Sequence, residues 1–369
     1  MYYLYMRRVA SRPWRLNING TYKPSISILV PMSNEEKTIR FKLENLLKVK
    51  YPAEKIQIIL VNDASTDATL NEVYQFVNSS HVFNIKILQC KERVGKSNSL
   101  NFALKHATGE IIVVSDADCF WPSDILVNAL PYLSESSVGA IAGKELLLNP
   151  GQSWTTRGER VYNSFVQTLR LGEAKVDSTI FFQGGFAAYK KAFLDEFDRE
   201  TDDSGTALDI VQKRSRTLLI PEASFYTMFP INWKNKVILK MRRANQLQRI
   251  WIKCLKLLLQ GKLVLPKRIA IPEIFLHILN PIVFFVLILS TGLLIIEQPL
   301  LLVAFLSILL LILIVPKGRI SLIENVQNNF ILLAAMSSFI TKRRFKVWKT
   351  VEESRLLLSE EILQQKHLI

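Results

Sequence analysis

Twenty-three consecutive residues, Ile274–Ile296, carry no charge, and only His277, Asn280, Pro281 and a few small residues interrupt the apolar run. A helix that crosses the hydrocarbon core of a bilayer needs about 20 such residues. Leu300–Val315 adds 16 more, nearly all Leu, Ile and Val, behind the short polar turn Glu297-Gln298-Pro299. The pair predicts a transmembrane helical hairpin within residues 256–320, with spans over residues 274–296 and 300–315. A hairpin buried in a soluble core is the competing reading. The flanking charges argue against it: Lys262, Lys267 and Arg268 precede the pair, Lys317 and Arg319 follow it, and the turn has no cation. That asymmetry places both flanks, and the bulk of the chain, on the cytoplasmic side of a cell membrane as a multi-pass protein.

The remainder fits a membrane-associated mosaic. Hydrophobic residues make up 49% of the chain at a mean hydropathy of +0.18, which excludes a disordered protein. Asn328–Ile340 is apolar over only 13 residues and runs into Lys342-Arg343-Arg344, so it reads as an interfacial or re-entrant helix at the head of a basic tail, residues 321–369. Residues 1–24 mix Tyr, Trp and Arg without the apolar core of a signal peptide. The net charge of +15 is attributed to anionic membrane lipid. Nucleic acid is not expected as a partner, because no basic stripe alternates with stacking aromatics. Cys90, Cys119 and Cys254 lack the spacing of a disulfide framework or zinc site, and four scattered histidines disfavour a His-metal or Ser-His-Asp enzyme.

Between Ser25 and Leu148 short apolar runs alternate with helical patterns. Strands are expected at Ile26–Val30, Ile56–Val61, Ile85–Leu88 and Glu110–Ser115; helices at Glu35–Leu47 (capped by Asn34), Asp67–Val77 and Lys96–His106. Such alternation predicts an α/β fold with a mostly parallel central sheet, whose ligands bind at the carboxyl ends of the strands. The polar clusters fall there: Ser33-Asn34-Glu35, Asn62-Asp63 and Asp116-Ala117-Asp118. Neither a G-x-G-x-x-G after the first strand nor a P-loop is present. Asp116 and Asp118 share one side of an extended chain, and two converging carboxylates call for a hard cation, Mg²⁺ or Mn²⁺, that also takes substrate phosphates.

Four motifs follow one another: Pro31-Met32-Ser33-Asn34-Glu35, Val61-Asn62-Asp63-Ala64-Ser65-Thr66-Asp67, Gly95-Lys96-Ser97-Asn98-Ser99-Leu100-Asn101 and Ser115–Asp118. In this order they resemble the nucleotide-sugar-binding half of family 2 glycosyltransferases with the GT-A fold. The resemblance extends through Gln183-Gly184-Gly185, Thr201-Asp202-Asp203 and Gln246-Leu247-Gln248-Arg249, motifs of hyaluronan- and cellulose-synthase-like members, and covers residues 25–255. It implies a donor site of Pro31, Asn34, Glu35, Asp63, Lys96 and Asp116, with Asp63 on the base and ribose of a nucleotide, uridine being expected. Asp118 would ligate the metal, Gly184, Gly185 and Asp202 would meet the acceptor, and Asp203 would be the general base. Arg249, with Gln246 nearby, would neutralise the leaving diphosphate.

Two departures stand out. The family's Q-x-x-R-W reads Q-x-x-R-I here, with the tryptophan one place late at Trp251, and Met228 stands where an acid is common. A one-residue shift turns a helical side chain by about 100°, which favours single transfer over processive polymerisation. The expectation is a membrane-bound inverting transferase that moves a sugar from a nucleotide-sugar, expected to be a UDP-sugar, to a lipid-linked or glycolipid acceptor at the cytoplasmic membrane face, with the nucleotide-sugar, a lipid-linked or glycan acceptor and membrane lipid as partners. The alternatives are a processive polysaccharide synthase and a catalytically silent membrane scaffold.

Overall fold

The structure, a computed structural model, describes residues 1–79, 84–340 and 351–369. These residues form two compact units. The first comprises Met1–Asn149, Val166–Pro230 and Phe345–Ile369; the second comprises Pro150–Phe165 and Ile231–Arg344. The Lys342-Arg343-Arg344 run lies outside the described residues.

In chain order the first unit begins with α1 (Tyr2–Ala10), β1 (Ile26–Met32), α2 (Ile39–Leu47), β2 (Ile56–Asn62), α3 (Thr69–Ser79) and β3 (Asn84–Gln89). It continues with α4 (Lys96–Leu104), β4 (Ile111–Val114), β5 (Cys119–Phe120), α5 (Ile125–Ala129) and β6 (Val138–Leu147). Next come α6 (Trp154–Val176), whose first turns belong to the second unit, β7 (Ala187–Lys190), α7 (Asp202–Gln212) and β8 (Arg216–Thr227). The eight strands form one sheet in the order β3-β2-β1-β4-β7-β6-β8-β5. The β3-β2-β1-β4 half is parallel throughout, and β6 pairs β8 in parallel, while β7 runs antiparallel to both neighbours and β5 antiparallel to β8. The sheet is therefore mixed, and the parallel expectation holds for the half built from the early βαβ units.

Local chemistry explains the register. β1 and β2 are almost wholly buried, as their near-continuous apolar sequences require of central parallel strands. Their one polar rung, Ser27 Oγ to Gln57 Oε1 at 2.6 Å, is satisfied and also receives the backbone N–H of Thr108. Pro31 is tolerated because β4 pairs β1 only as far as Leu29, leaving β2 as the sole neighbour there. The helix expected from Glu35 starts instead at Ile39. Asn34 does not cap it: it sits at φ +56°, and its amide oxygen takes the Thr66 N–H, while the Glu35 N–H donates to Thr69 Oγ1. These cross-links bind the loop after β1 to the loop after β2 and postpone the helix by one turn.

The carboxyl-terminal residues return to this unit as α13 (Glu352–Leu356) and α14 (Glu360–Gln365). Leu363 and Leu368 are buried against Phe120, Leu148 and Met228, and Asn45 Nδ2 donates to Leu368 O at 2.7 Å. Met228, apolar where an acid is common in the family, is part of the seat for this segment.

The second unit holds α8 (Trp233–Leu259), α9 (Lys267–Ile274), α10 (Asn280–Glu297), α11 (Pro299–Ile314) and α12 (Pro316–Ile340). A π-helical turn, Phe275–Leu279, joins α9 to α10. Together Lys267–Glu297 form 31 helical residues, about 46 Å at 1.5 Å per residue, more than the ~30 Å of a hydrocarbon core. Only 6% of the most apolar window is buried, which removes the buried-core reading of that stretch. α11 has 16 residues, and its axis meets that of α12 at 112°. Among the described residues, one helix is long and apolar enough to cross a membrane by itself. α12 is held to α8 by buried polar groups: Lys236 and Lys240 pair with Glu324, and Lys240 also reaches Glu159 at 2.7 Å.

Candidate active site

The expected residues of the first unit gather at the carboxyl ends of β1, β2 and β4, beside the point where the chain reverses its direction of winding across the sheet. Asp63, just beyond β2, is buried, and its two oxygens accept the N–H groups of Val94 (2.7 Å) and Gly95 (2.9 Å). Asp63 thus shapes the loop that leads into α4. Gly95 takes φ +88°, a conformation costly for any side chain, and this places Lys96 at the first position of the helix.

Lys96 is the electrostatic centre. Its Nζ lies 2.7 Å from Asp116 Oδ1 and 3.1 Å from Asp203 Oδ2, with only 9% of the side chain exposed. Burial opposes its charge, but Asp116, Asp203 and Asp202 outweigh burial and raise its pKa above the usual lysine range. Next to it Ser97 Oγ donates to Asp202 Oδ1. Asp202 and Asp203 form the first turn of α7 rather than a cap outside it. Asp203 is 8% exposed, and its Oδ1 has no hydrogen-bond partner among the described residues. A buried carboxylate oxygen without a donor is costly unless a ligand supplies one.

Gly184 and Gly185 line the back of this cluster. A side chain at Gly184 would collide with Lys96 Nζ and the Asp116 carboxylate, and one at Gly185 with the Phe225 ring. Their carbonyls are used as well: Gly184 O accepts from the Asp116 N–H at 2.8 Å, and Gly185 O from Trp121 Nε1 at 2.7 Å. Gln183 is tied to Glu145 and Arg170.

Asp116, Asp118 and Cys119 offer ligand atoms within 4.8 Å of one another. Burial, reinforced by Asp118 and Asp116, pushes the Cys119 thiol well up, and soft sulfur is a poor ligand for a hard cation. The usable donors are then two partly exposed carboxylates, a hard set that fits Mg²⁺ or Mn²⁺ shared with phosphate oxygens.

Two cationic features had no signal in the motifs. Arg355 of α13 reaches into the cluster: Nη2 lies 2.5 Å from Glu35 Oε1 and 3.0 Å from Asp118 Oδ2, and Nε lies 3.1 Å from Glu35 Oε2. Lys42 is fully buried beneath the acidic pair, with Nζ on Cys119 O at 2.8 Å and 4.4 Å from the Trp121 ring centroid. Local sequence cannot reveal Arg355, because some 240 residues separate it from Asp118. Glu35, expected on the donor, spends both oxygens on Arg355 and Thr38.

Gln246 and Arg249 stand on α8 of the second unit, where Arg249 Nε donates to Asn245 Oδ1 at 2.9 Å. Trp251 is buried there and stacks on His277 at a centroid distance of 5.9 Å.

Residues 27–197 match the model of glycosyl transferase family 2. Residues 27–197 are a family 2 glycosyltransferase domain. A mannosyltransferase from Pyrobaculum calidifontis, solved with GDP-Man and Mn²⁺, is 28% identical with a TM-score of 0.79, covering 93% of this chain and 94% of that one. The domain therefore has the GT-A fold. A beta-monoglucosyldiacylglycerol synthase from Nostoc is 30% identical over 148 residues, 40% of this chain and 31% of the relative. A poly-beta-1,6-N-acetyl-D-glucosamine synthase from Staphylococcus aureus is 25% identical over 232 residues, 60% of this chain and 55% of the relative. The chain thus spans about a third of the first curated relative and little more than half of the second.

Proposed function

We propose that the protein is a membrane-associated, inverting family 2 glycosyltransferase that uses a nucleoside-diphosphate sugar and a divalent cation to glycosylate a lipid-linked or glycolipid acceptor. The observation that carries this reading is the Lys96 cluster. One cation orders a D-x-D carboxylate and a second carboxylate, Asp203, whose other oxygen has no partner among the described residues.

Asp116 and Asp118 would hold the cation, which when bound supplies positive charge to the leaving diphosphate. Lys96 Nζ, 3.1 Å from Asp203 Oδ2, fixes the orientation of that carboxylate. Asp203 Oδ1 accepts the proton of the acceptor hydroxyl as its oxygen attacks the anomeric carbon. The bond from that carbon to the phosphate oxygen breaks on the opposite face, so the configuration inverts and the nucleoside diphosphate leaves. For Gln246 and Arg249 the roles rest on the family resemblance alone.

Membrane association is supported by the Lys267–Glu297 helix, whose apolar side chains are exposed along much of its length. We propose that α10 and α11 enter the bilayer as a hairpin with both flanks cytoplasmic and α12 at the interface. A lipid acceptor accords with the glycolipid product in the name of the Nostoc relative, and a processive synthase with that of the staphylococcal one. The neighbour's GDP-Man makes guanosine a rival to the expected uridine.

The test is transfer from radiolabelled donors into native membrane lipids. Label moving to the organic phase as one discrete glycolipid supports the proposal, and label in a long polymer supports the synthase reading.

A further inference from the structure

The carboxyl-terminal segment carries a charge into the cluster that the transferase reading does not use. Arg355 is 14% exposed, and its Nη2 is shared between Glu35 at 2.5 Å and Asp118 at 3.0 Å. A guanidinium stays cationic in any protein setting. Glu35 is itself 7% exposed, and its Oε2 also accepts the Thr38 hydroxyl at 2.7 Å. The bidentate pair with Glu35 anchors the arginine, and the single contact to Asp118 is its weaker arm. Behind it, Leu363 and Leu368 seat residues 351–369 on Phe120, Leu148 and Met228.

We infer that Arg355 is a further residue of this site, one that competes with the divalent cation for Asp118 and so couples the docking of residues 351–369 to metal occupancy. The inference rests on the reading of Asp116 and Asp118 as metal ligands. A carboxylate oxygen that accepts a guanidinium N–H has less charge to give a metal, and two cations a few ångströms apart repel. Metal binding therefore loosens Arg355 and the segment it holds, and a docked segment raises the cation concentration needed to fill the site. Donor phosphates shift the balance toward the metal by adding ligands.

The experiment is Mn²⁺ binding without nucleotide to the full chain in detergent, read from the loss of the free-ion paramagnetic signal. Arg355→Gln keeps hydrogen bonds to Glu35 but removes the charge, and it should bind Mn²⁺ about tenfold tighter than the native protein. Arg355→Lys, which keeps the charge, should stay near the native affinity. Leu363→Ala loosens the seat without touching a charge and should also tighten Mn²⁺ binding. Hydrogen exchange at residues 351–356 should quicken when Mn²⁺ is added to the native chain. Unchanged or weaker binding in both Arg355→Gln and Leu363→Ala overturns the inference, as does slower exchange with Mn²⁺. Asp118→Asn separates the two levels. If it leaves Mn²⁺ affinity intact, the metal reading and this inference fall together. If it abolishes binding while Arg355→Gln changes nothing, only the inference falls.

Discussion

Asp203 and Lys42 are both buried, but beside different partners. Asp203 Oδ2 lies 3.1 Å from the Lys96 cation, and Oδ1 has no hydrogen-bond partner among the described residues. Asp203→Asn keeps the shape and removes the basicity. Turnover should fall by about 10²–10⁴, the usual share of a general base, while donor affinity changes little. Steady-state transfer and nucleotide-sugar titration on the same preparation check this, and native turnover would remove Asp203 from the mechanism. Lys42 is buried with a carbonyl and an aromatic face for company, and burial lowers its pKa from 10.5 to about 7, with Cys119, Asp116 and Asp118 opposing the fall. Between those two values the unfolded chain binds a proton that the folded chain does not. Stability should therefore rise as pH climbs from about 7 toward 10, by up to about 1.4 kcal/mol per pH unit from this residue. Denaturant unfolding across that range should show a shallower rise in Lys42→Met, and identical slopes would refute the assignment.

At the scale of elements, the early βαβ half was legible from its apolar periodicity. Every expected strand there is found, with ends extended or trimmed by a residue or two. The start of α2 was not, because Asn34, Glu35 and Glu36 ahead of it are bonded to Ser65, Thr66 and Asp67 of the loop after β2 and to Thr69 at the start of α3. The antiparallel strand β7 escaped the pattern because it follows a 23-residue helix with no hairpin signal. The acidic positions of the site were readable as motifs, while their partners Lys42 and Arg355 were not, since pairing over such separations is a property of the fold. Two elements carry further predictions. At Gly185 a methyl group meets the Phe225 ring, so Gly185→Ala should lose about 1–3 kcal/mol and lower the melting temperature. A native melting temperature would show that the Phe225 ring can give way. In α10 the side chain of Leu287 is 61% exposed, so Leu287→Arg should cost about 3 kcal/mol of insertion free energy and reduce carbonate-resistant membrane association. Unchanged association would contradict the proposed span.

For the molecule as a whole, a basic chain combines a long exposed apolar helix with a GT-A domain, the combination that the proposed membrane-associated transferase requires. The likeness to the Pyrobaculum mannosyltransferase runs nearly end to end on both chains, whereas the curated synthases share only part of their length. The central claim is metal-dependent use of a sugar nucleotide at Asp118. The most direct measurement is nucleotide release by detergent-purified protein across UDP-, GDP- and dTDP-sugars, with Mn²⁺, Mg²⁺ or EDTA and with native membrane lipids added. The account predicts release from one donor that disappears in EDTA and in Asp118→Asn. Release that survives both would contradict the metal site, and silence with every donor, lipids included, would leave a scaffold that keeps the fold without the turnover.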